Sequence, residues 1–260
     1  MATSVREQVP VVFLPGILMP AALRYPPLIE ALGEDVRPVL KELEVYREPT
    51  VPPPGYSMET EVAGIDRAAD EAGFETFHLY GHSGGGAIAL AFSASRPERV
   101  RSLAVDEPAI DFDPEDLAMI RETYLPMLEL PVLEMMRAFV AEQLRSGVAP
   151  PPPPEGPPPP WMETRPAGIA ALTHAFVDSD VPIERLRGFD RPAYYSYGSL
   201  SNEAWERRAE RLSALMPQLV VERYEGLSHM NTSHAAEPER VARVLRRLWG
   251  LDLGAQPRAR

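Results

Sequence analysis

The five residues Gly81-His82-Ser83-Gly84-Gly85 constrain this chain more than any other stretch of it. They follow an apolar, β-prone run (Thr76–Tyr80, TFHLY) and lead into small residues from Gly84 to Ser95 that read as a helix. A chain that passes from strand to helix in so few residues must turn tightly. A serine at the apex then takes strained backbone angles, and its neighbours have to be small. Glycines at 81 and 85 avoid a clash where strand and helix meet. The helix start offers free N–H groups and a positive dipole end to a developing anion. Ser83 is therefore a candidate nucleophile, set against the plainer reading of a glycine-rich turn with an incidental serine.

The flanking sequence supplies the strands and helices that such a turn needs. Val9–Leu14 (VPVVFL) reads as a strand and, less clearly, so does Val36–Tyr46. Glu59–Ala72 reads as a helix with Val62, Ile65, Ala69 and Ala72 on one face and Ser57 placed to cap its start. Val100–Val105 is a further strand. The alternation resumes with strand Ala193–Tyr197, helix Glu203–Met216, strand Leu219–Tyr224 and helix Glu237–Trp249. Strands alternating with helices of this length imply parallel pairing through crossovers.

Between the two blocks the pattern changes. Residues 109–187 read as helical (Pro114–Leu130, Pro131–Ser146, Pro166–Asp178) without a clear strand. Nine of the chain's 30 prolines fall in 150–160, PPPPPEGPPPP, which excludes helix and inner strand and predicts a stiff extended strut. The expected organisation is an α/β core formed by 1–108 and 188–260, with a helical cap at 109–187. Met119, Met127, Met135, Met136 and Met162, with Trp161, suit either an adaptable apolar pocket or packing between helices, and packing is the commoner use of such a stripe.

Composition excludes several classes of function. With 26 basic and 38 acidic residues the formal charge is −12, which disfavours nucleic acid and anionic membrane surfaces as partners. The absence of cysteine removes disulfides, thiolate metal sites and a cysteine nucleophile. Met1–Gln8 lacks the apolar core of a signal peptide, and the apolar run Val9–Leu23 is broken by Pro10, Pro15, Gly16 and Pro20, short of the roughly 20 residues of a membrane span. A cytoplasmic protein without a metal or other cofactor is expected. Oligomeric state is not readable.

The strand–GHSGG–helix unit, its glycines and its place in the alternation resemble the α/β-hydrolase superfamily. The resemblance covers both sheet blocks and implies an eight-stranded, mostly parallel sheet with helices on both faces and a cap inserted after the sixth strand. It also implies a nucleophile–acid–histidine order. His229, in Gly226-Leu227-Ser228-His229 before Glu237-Pro238-Glu239, is similar to the family's final histidine loop. His234 reads instead as a surface or packing residue, His78 and His174 as structural or pocket-lining, and His82 as packing under the turn. Backbone N–H groups of Gly84 and of Ile17, in Leu14-Pro15-Gly16-Ile17, are the expected oxyanion donors, with Leu18 as alternate.

The acid departs from the family pattern. After Ala193–Tyr197 the expected Gly-x-x-Asp reads Gly198-Ser199-Leu200-Ser201, and a serine cannot stabilise an imidazolium. The end of the sixth family strand offers another position, where this chain has Asp106-Glu107-Pro108. Glu107 is favoured, Asp106 is the alternate, and Glu203 is a weaker candidate. The resulting expectation is a serine hydrolase acting through Ser83, His229 and Glu107 on a carboxylic ester or related acyl bond, with a small, apolar acyl or aromatic substrate. The rivals are a catalytically impaired binding protein on the same fold, and a triad-using C–C bond hydrolase, lactonase or perhydrolase. Position 83 lacks the aspartate that dehalogenases and epoxide hydrolases need. A dinucleotide fingerprint at Gly84-Gly85-Gly86-Ala87-Ile88-Ala89 would sit mid-sheet and leave His229 unexplained.

Overall fold

A computed structural model describes residues 8–47, 49–152 and 155–251. The chain runs through β1 (Val9–Leu14), short helices α1 (Ala21–Arg24) and α2 (Pro26–Leu32), β2 (Val36–Leu40), α3 (Met58–Glu71), β3 (Phe77–His82), α4 (Gly84–Ser95) and β4 (Val100–Asp106). Then come α5 (Pro114–Met119), a π-helical turn (Ile120–Tyr124), α6 (Leu125–Met127), α7 (Val132–Glu142) and α8 (Arg165–Val177). The remainder is β5 (Ala193–Gly198), α9 (Ala204–Leu215), β6 (Leu219–Tyr224), α10 (Ser233–Ala236) and α11 (Pro238–Leu248).

The strands form one parallel sheet in the order β2-β1-β3-β4-β5-β6. Six strands, not the expected eight, are present among the described residues. The second predicted strand also ends early, at Leu40 in place of Tyr46, and a 3₁₀ turn takes Glu44–Tyr46. Pro38 is tolerated in β2 because that strand forms a sheet edge, where a missing N–H costs no ladder bond. The α3 prediction is met at its start: Ser57 and Thr60 form a reciprocal capping box.

Alternation along β1 feeds two cores. Val12 and Leu14 join the larger one, with Ile65 of α3, most of α4 and Leu172 of α8. Val11 and Phe13 join the other, with Leu28 of α2 and Val241 and Leu245 of α11. The sheet is thus covered on both faces. Register aligns Leu14 with Gly81, His82 with Asp106, and Asp106 with Ser196, so the carboxyl ends of four strands lie along one edge. In open α/β sheets that edge is where ligands bind.

The segment after β4 is helical, with one isolated antiparallel bridge, Leu144 to Ser201, back to the sheet region. The first predicted helix there is interrupted by the π turn. Met127 and Met135 are buried in the larger core, and Met119 and Met136 pack against it. Residues around the proline run are neither helix nor strand until Pro160; Pro153 and Pro154 lie outside the described residues, as does most of the Met1–Gln8 segment. Among the described residues no helix is long and apolar enough to cross a membrane.

The turn at Gly81–Gly85 is sterically closed. A Cβ on Gly81 would lie 2.4 Å from the Gly85 carbonyl oxygen, and one on Gly85 would lie 2.4 Å from that of Pro15. Both obstacles are backbone and cannot swing away. Gly81→Ala is therefore expected to lower stability by about 2–3 kcal/mol, the upper end of overpacking costs. Gly188→Ala, with nothing within 4 Å of the new methyl, is the control. Urea midpoints within error of each other for the two variants would contradict this account.

Candidate active site

Ser83 occupies the apex between β3 and α4 with φ 52°, a left-handed conformation costly for any residue with a Cβ. The backbone holds it there. Its N–H donates to the Asp106 carbonyl (3.0 Å), and its carbonyl accepts from Ala87 and Ala109. Next along the sheet edge, Glu107 follows β4 with φ 47°. Ser83, Glu107 and Phe112 are the non-glycine residues with positive φ among those described, and two of the three bear on the same histidine.

That histidine is His229, on the loop after β6. Its Nε2 lies 2.9 Å from Ser83 Oγ and its Nδ1 lies 2.6 Å from Glu107 Oε2. The other carboxylate oxygen of Glu107 accepts from the Gly198 N–H (2.7 Å) and from the Ser201 hydroxyl. Ser201, the serine where the sequence pattern leads one to expect an acid, thus supports the carboxylate arriving from the neighbouring strand.

Two rings pack against the His229 imidazole. Trp205 of α9 stacks on it at 4.5 Å and 14°, with its Nε1–H bound to the Pro108 carbonyl. The His82 ring lies 4.9 Å away at 31°. Over Ser83 the helices after β4 leave a recess of about 30 Å³, lined by Ile17, Gly84, Ile120, Phe139, Leu172 and Phe176 among others. Methionines do not line it. A larger cleft, about 700 Å³, runs between the Pro52–Glu59 loop and α8, past His174, and contains none of the Ser83, His229 or Glu107 groups.

The family model for the alpha/beta hydrolase fold matches residues 9–147. The chain belongs to the α/β-hydrolase fold family. Solved structures agree: a thermophilic esterase from Thermogutta terrifontis is 16% identical with a TM-score of 0.68, covering 93% of this chain and 89% of that one. A carboxylesterase from Bacillus subtilis is 20% identical with a TM-score of 0.64, covering 94% and 85%. An epoxide hydrolase from Vigna radiata is 18% identical with a TM-score of 0.63, covering 94% and 92%. Identities this low speak for the fold alone. No curated protein sequence matches.

In this α/β hydrolase the alternate acid, Asp106, is turned away from His229. Its carboxylate accepts from Ser196 (2.6 Å) and Ser233 (3.0 Å) and meets His234 Nδ1 at 2.8 Å and His82 Nδ1 at 3.3 Å. The weaker candidate, Glu203, lies at the start of α9 and pairs with Arg145 at 3.6 Å. His234 is fully buried, so its reading as a surface residue fails and the packing one stands. His82, Asp106 and His234 also place donor atoms within 4.8 Å of one another, the spacing a metal ion needs. Each donor atom is already hydrogen-bonded, which satisfies the cluster as it stands. Of the expected oxyanion donors, the Ile17 nitrogen, on the loop after β1, lies close to Gly84: a Cβ built on Gly84 would be 3.8 Å from it. The Ile17 carbonyl is fixed by the Tyr46 hydroxyl (3.0 Å) and by Arg165 of α8 (3.3 Å). Sequence reasoning missed Trp205, Ser201 and Arg165, and only the tryptophan's place just after the Gly198 loop could have hinted at one of them.

Burial sets the charge states beneath the site. It pushes His82 well below the ordinary imidazole range and lowers His234 too, against the pull of Asp106. Burial also disfavours the Asp106 carboxylate, but hydrogen bonds from His234 and His82 outweigh that and hold its pKa well below normal. Neutral imidazoles donating to a charged carboxylate satisfy both directions. His78, buried and repelled by Arg101, is pushed down to about 3. Below the ordinary imidazole pKa, near 6.5, the unfolded chain takes up protons that the folded chain refuses. Stability should therefore be full above that pH and fall as pH drops, by about 1.4 kcal/mol per unit for each such histidine. His78→Gln is expected to flatten the decline in urea midpoint between pH 7.5 and 5. An unchanged slope would contradict the assignment for His78.

Proposed function

We propose that this chain is a serine hydrolase that cleaves carboxylic esters or closely related acyl bonds through an acyl-enzyme. The observation that carries the reading is the unbroken line of contacts from Ser83 Oγ to His229 to Glu107, at 2.9 and 2.6 Å. Ser83 Oγ attacks the carbonyl carbon as its proton passes to His229 Nε2. Glu107 stabilises the resulting imidazolium and fixes the ring's tautomer. The N–H groups of Gly84 and Ile17 receive the oxyanion, in a recess whose apolar walls strengthen those bonds. His229 then gives its proton to the departing oxygen as the carbon–oxygen bond breaks. Water, deprotonated by the same imidazole, releases the acid.

The helices of 109–187 act in this reading as a cap on the acyl recess, with the two flanking blocks as the core. The esterases among the similar structures are compatible with the reading. The epoxide hydrolase is not a guide to the reaction here, because serine stands at position 83 where that chemistry needs an aspartate. A role confined to binding is disfavoured by the Glu107–His229 contact, since an abandoned site has no need of a carboxylate there.

The decisive experiment is treatment with a fluorophosphonate probe, followed by intact-mass analysis and peptide mapping. A stoichiometric adduct on Ser83 is expected, absent in Ser83→Ala. Glu107→Gln should lower ester kcat/KM by a factor on the order of 10²–10⁴, and Asp106→Asn by less. A folded wild-type protein that forms no adduct would overturn the hydrolase reading.

A further inference from the structure

Two recesses meet at Ser83, and their chemistry differs. The first is the apolar one beneath Phe139, Leu172 and Phe176. The second, about 20 Å³, is bounded by Gly16, Leu18, Arg24, His82, His229 and Met230 beside Ser83, and shares Ile17 and Phe139 with the first. Of the two, the second contains the His229 ring.

Arg24 is the unexpected member. It closes the short helix α1 and is partly buried. Its Nε is buried without a hydrogen-bond partner, and among the described residues no carboxylate is hydrogen-bonded to it. Asp106 attracts it through space, but that carboxylate is already occupied by Ser196, Ser233 and His234. Burial lowers the Arg24 pKa, which marks the site as one where the cation lacks adequate compensation. A guanidinium keeps its charge regardless, so an anion entering the recess would supply the compensation that the protein does not.

The side on which Arg24 lies has a chemical meaning. In acyl transfer the imidazole protonates the leaving oxygen, so the leaving group departs past His229. We propose that Arg24 recognises a carboxylate on the leaving-group half of the substrate, which makes the preferred substrates apolar acyl esters of compact hydroxy acids. The proposal rests on the hydrolase reading above and names the substrate class of that same site. The planar fork of arginine matches a carboxylate in two-point contact. One guanidinium, on a chain of net charge −12, suits a singly charged group better than a phosphate dianion. The narrowness of the recess accounts for the compact hydroxy acid, and the wall of Phe139, Leu172 and Phe176 for the apolar acyl half.

The test compares O-butyrylglycolate with its uncharged twin O-butyrylglycolamide. Wild type should favour the glycolate in kcat/KM by about tenfold or more, and Arg24→Gln should cut that ratio at least about tenfold, with Arg24→Lys between. Calorimetry with the amide analogues N-butyrylglycine and N-butyrylglycinamide reads the same preference without turnover. Should Arg24→Gln not fold, the wild-type protein still decides. Raising salt from about 0.02 to 0.5 M should weaken kcat/KM for the glycolate and spare the glycolamide. Equal kcat/KM for the twins, or a preference that survives Arg24→Gln, would overturn the proposal. Binding of N-butyrylglycine with no turnover of either ester would instead retire the hydrolase reading and leave Arg24's role standing.

Discussion

The carboxylate of Glu107 ties together three chain ends that are distant in sequence. It leaves the sheet at the end of β4, takes the Gly198 N–H and the Ser201 hydroxyl from the end of β5, and faces His229 from the loop after β6. A buried carboxylate costs several kcal/mol unless its lone pairs are filled. Here they are, and the left-handed backbone at Glu107 (φ 47°) is the local strain that aims it there. Remove this group and the Gly198 amide, the Ser201 hydroxyl and the His229 ring all lose a partner inside the protein.

Neighbouring acids at one strand end do different work because Asp106 is the last residue of β4, while Glu107 follows it in a left-handed conformation that turns its side chain another way. Asp106 enters the layer occupied by Ser196, Ser233 and His234, close to Tyr80 and Tyr25. Glu107 enters the other, beside Trp205 and His229. The two networks meet at the imidazoles: His82, which contacts Asp106, and Trp205 both pack against the His229 ring. The ring that links serine to carboxylate is thereby fixed in plane by packing and in register by hydrogen bonds.

A second link joins the helices after β4 to the same site. Arg165 of α8 lies 3.7 Å above the Tyr46 ring, and both donate to the Ile17 carbonyl on the loop that carries one of the proposed oxyanion donors. Leu172 of the same helix stands over Gly84. The geometry around Ser83 therefore depends on contacts from α8 as well as on the sheet.

Local sequence determined a good deal. Alternation placed β1, α4 and β6 at their observed limits, because period-2 apolar runs and tight glycine turns are decided within a few residues. The same logic singled out Ser83, and the Glu-Pro pair at the β4 exit made Glu107 a candidate beside Asp106. What local sequence left open was which acid faces the histidine, since adjacent side chains share a neighbourhood in sequence and part company only in the fold. The strand count, the support that Ser201 lends Glu107, the Trp205 stack and the exposure of Arg24 to the Ser83 recess were also beyond it. Each is a contact between segments tens to more than a hundred residues apart, fixed by sheet register and helix packing, and no periodicity within a segment encodes it.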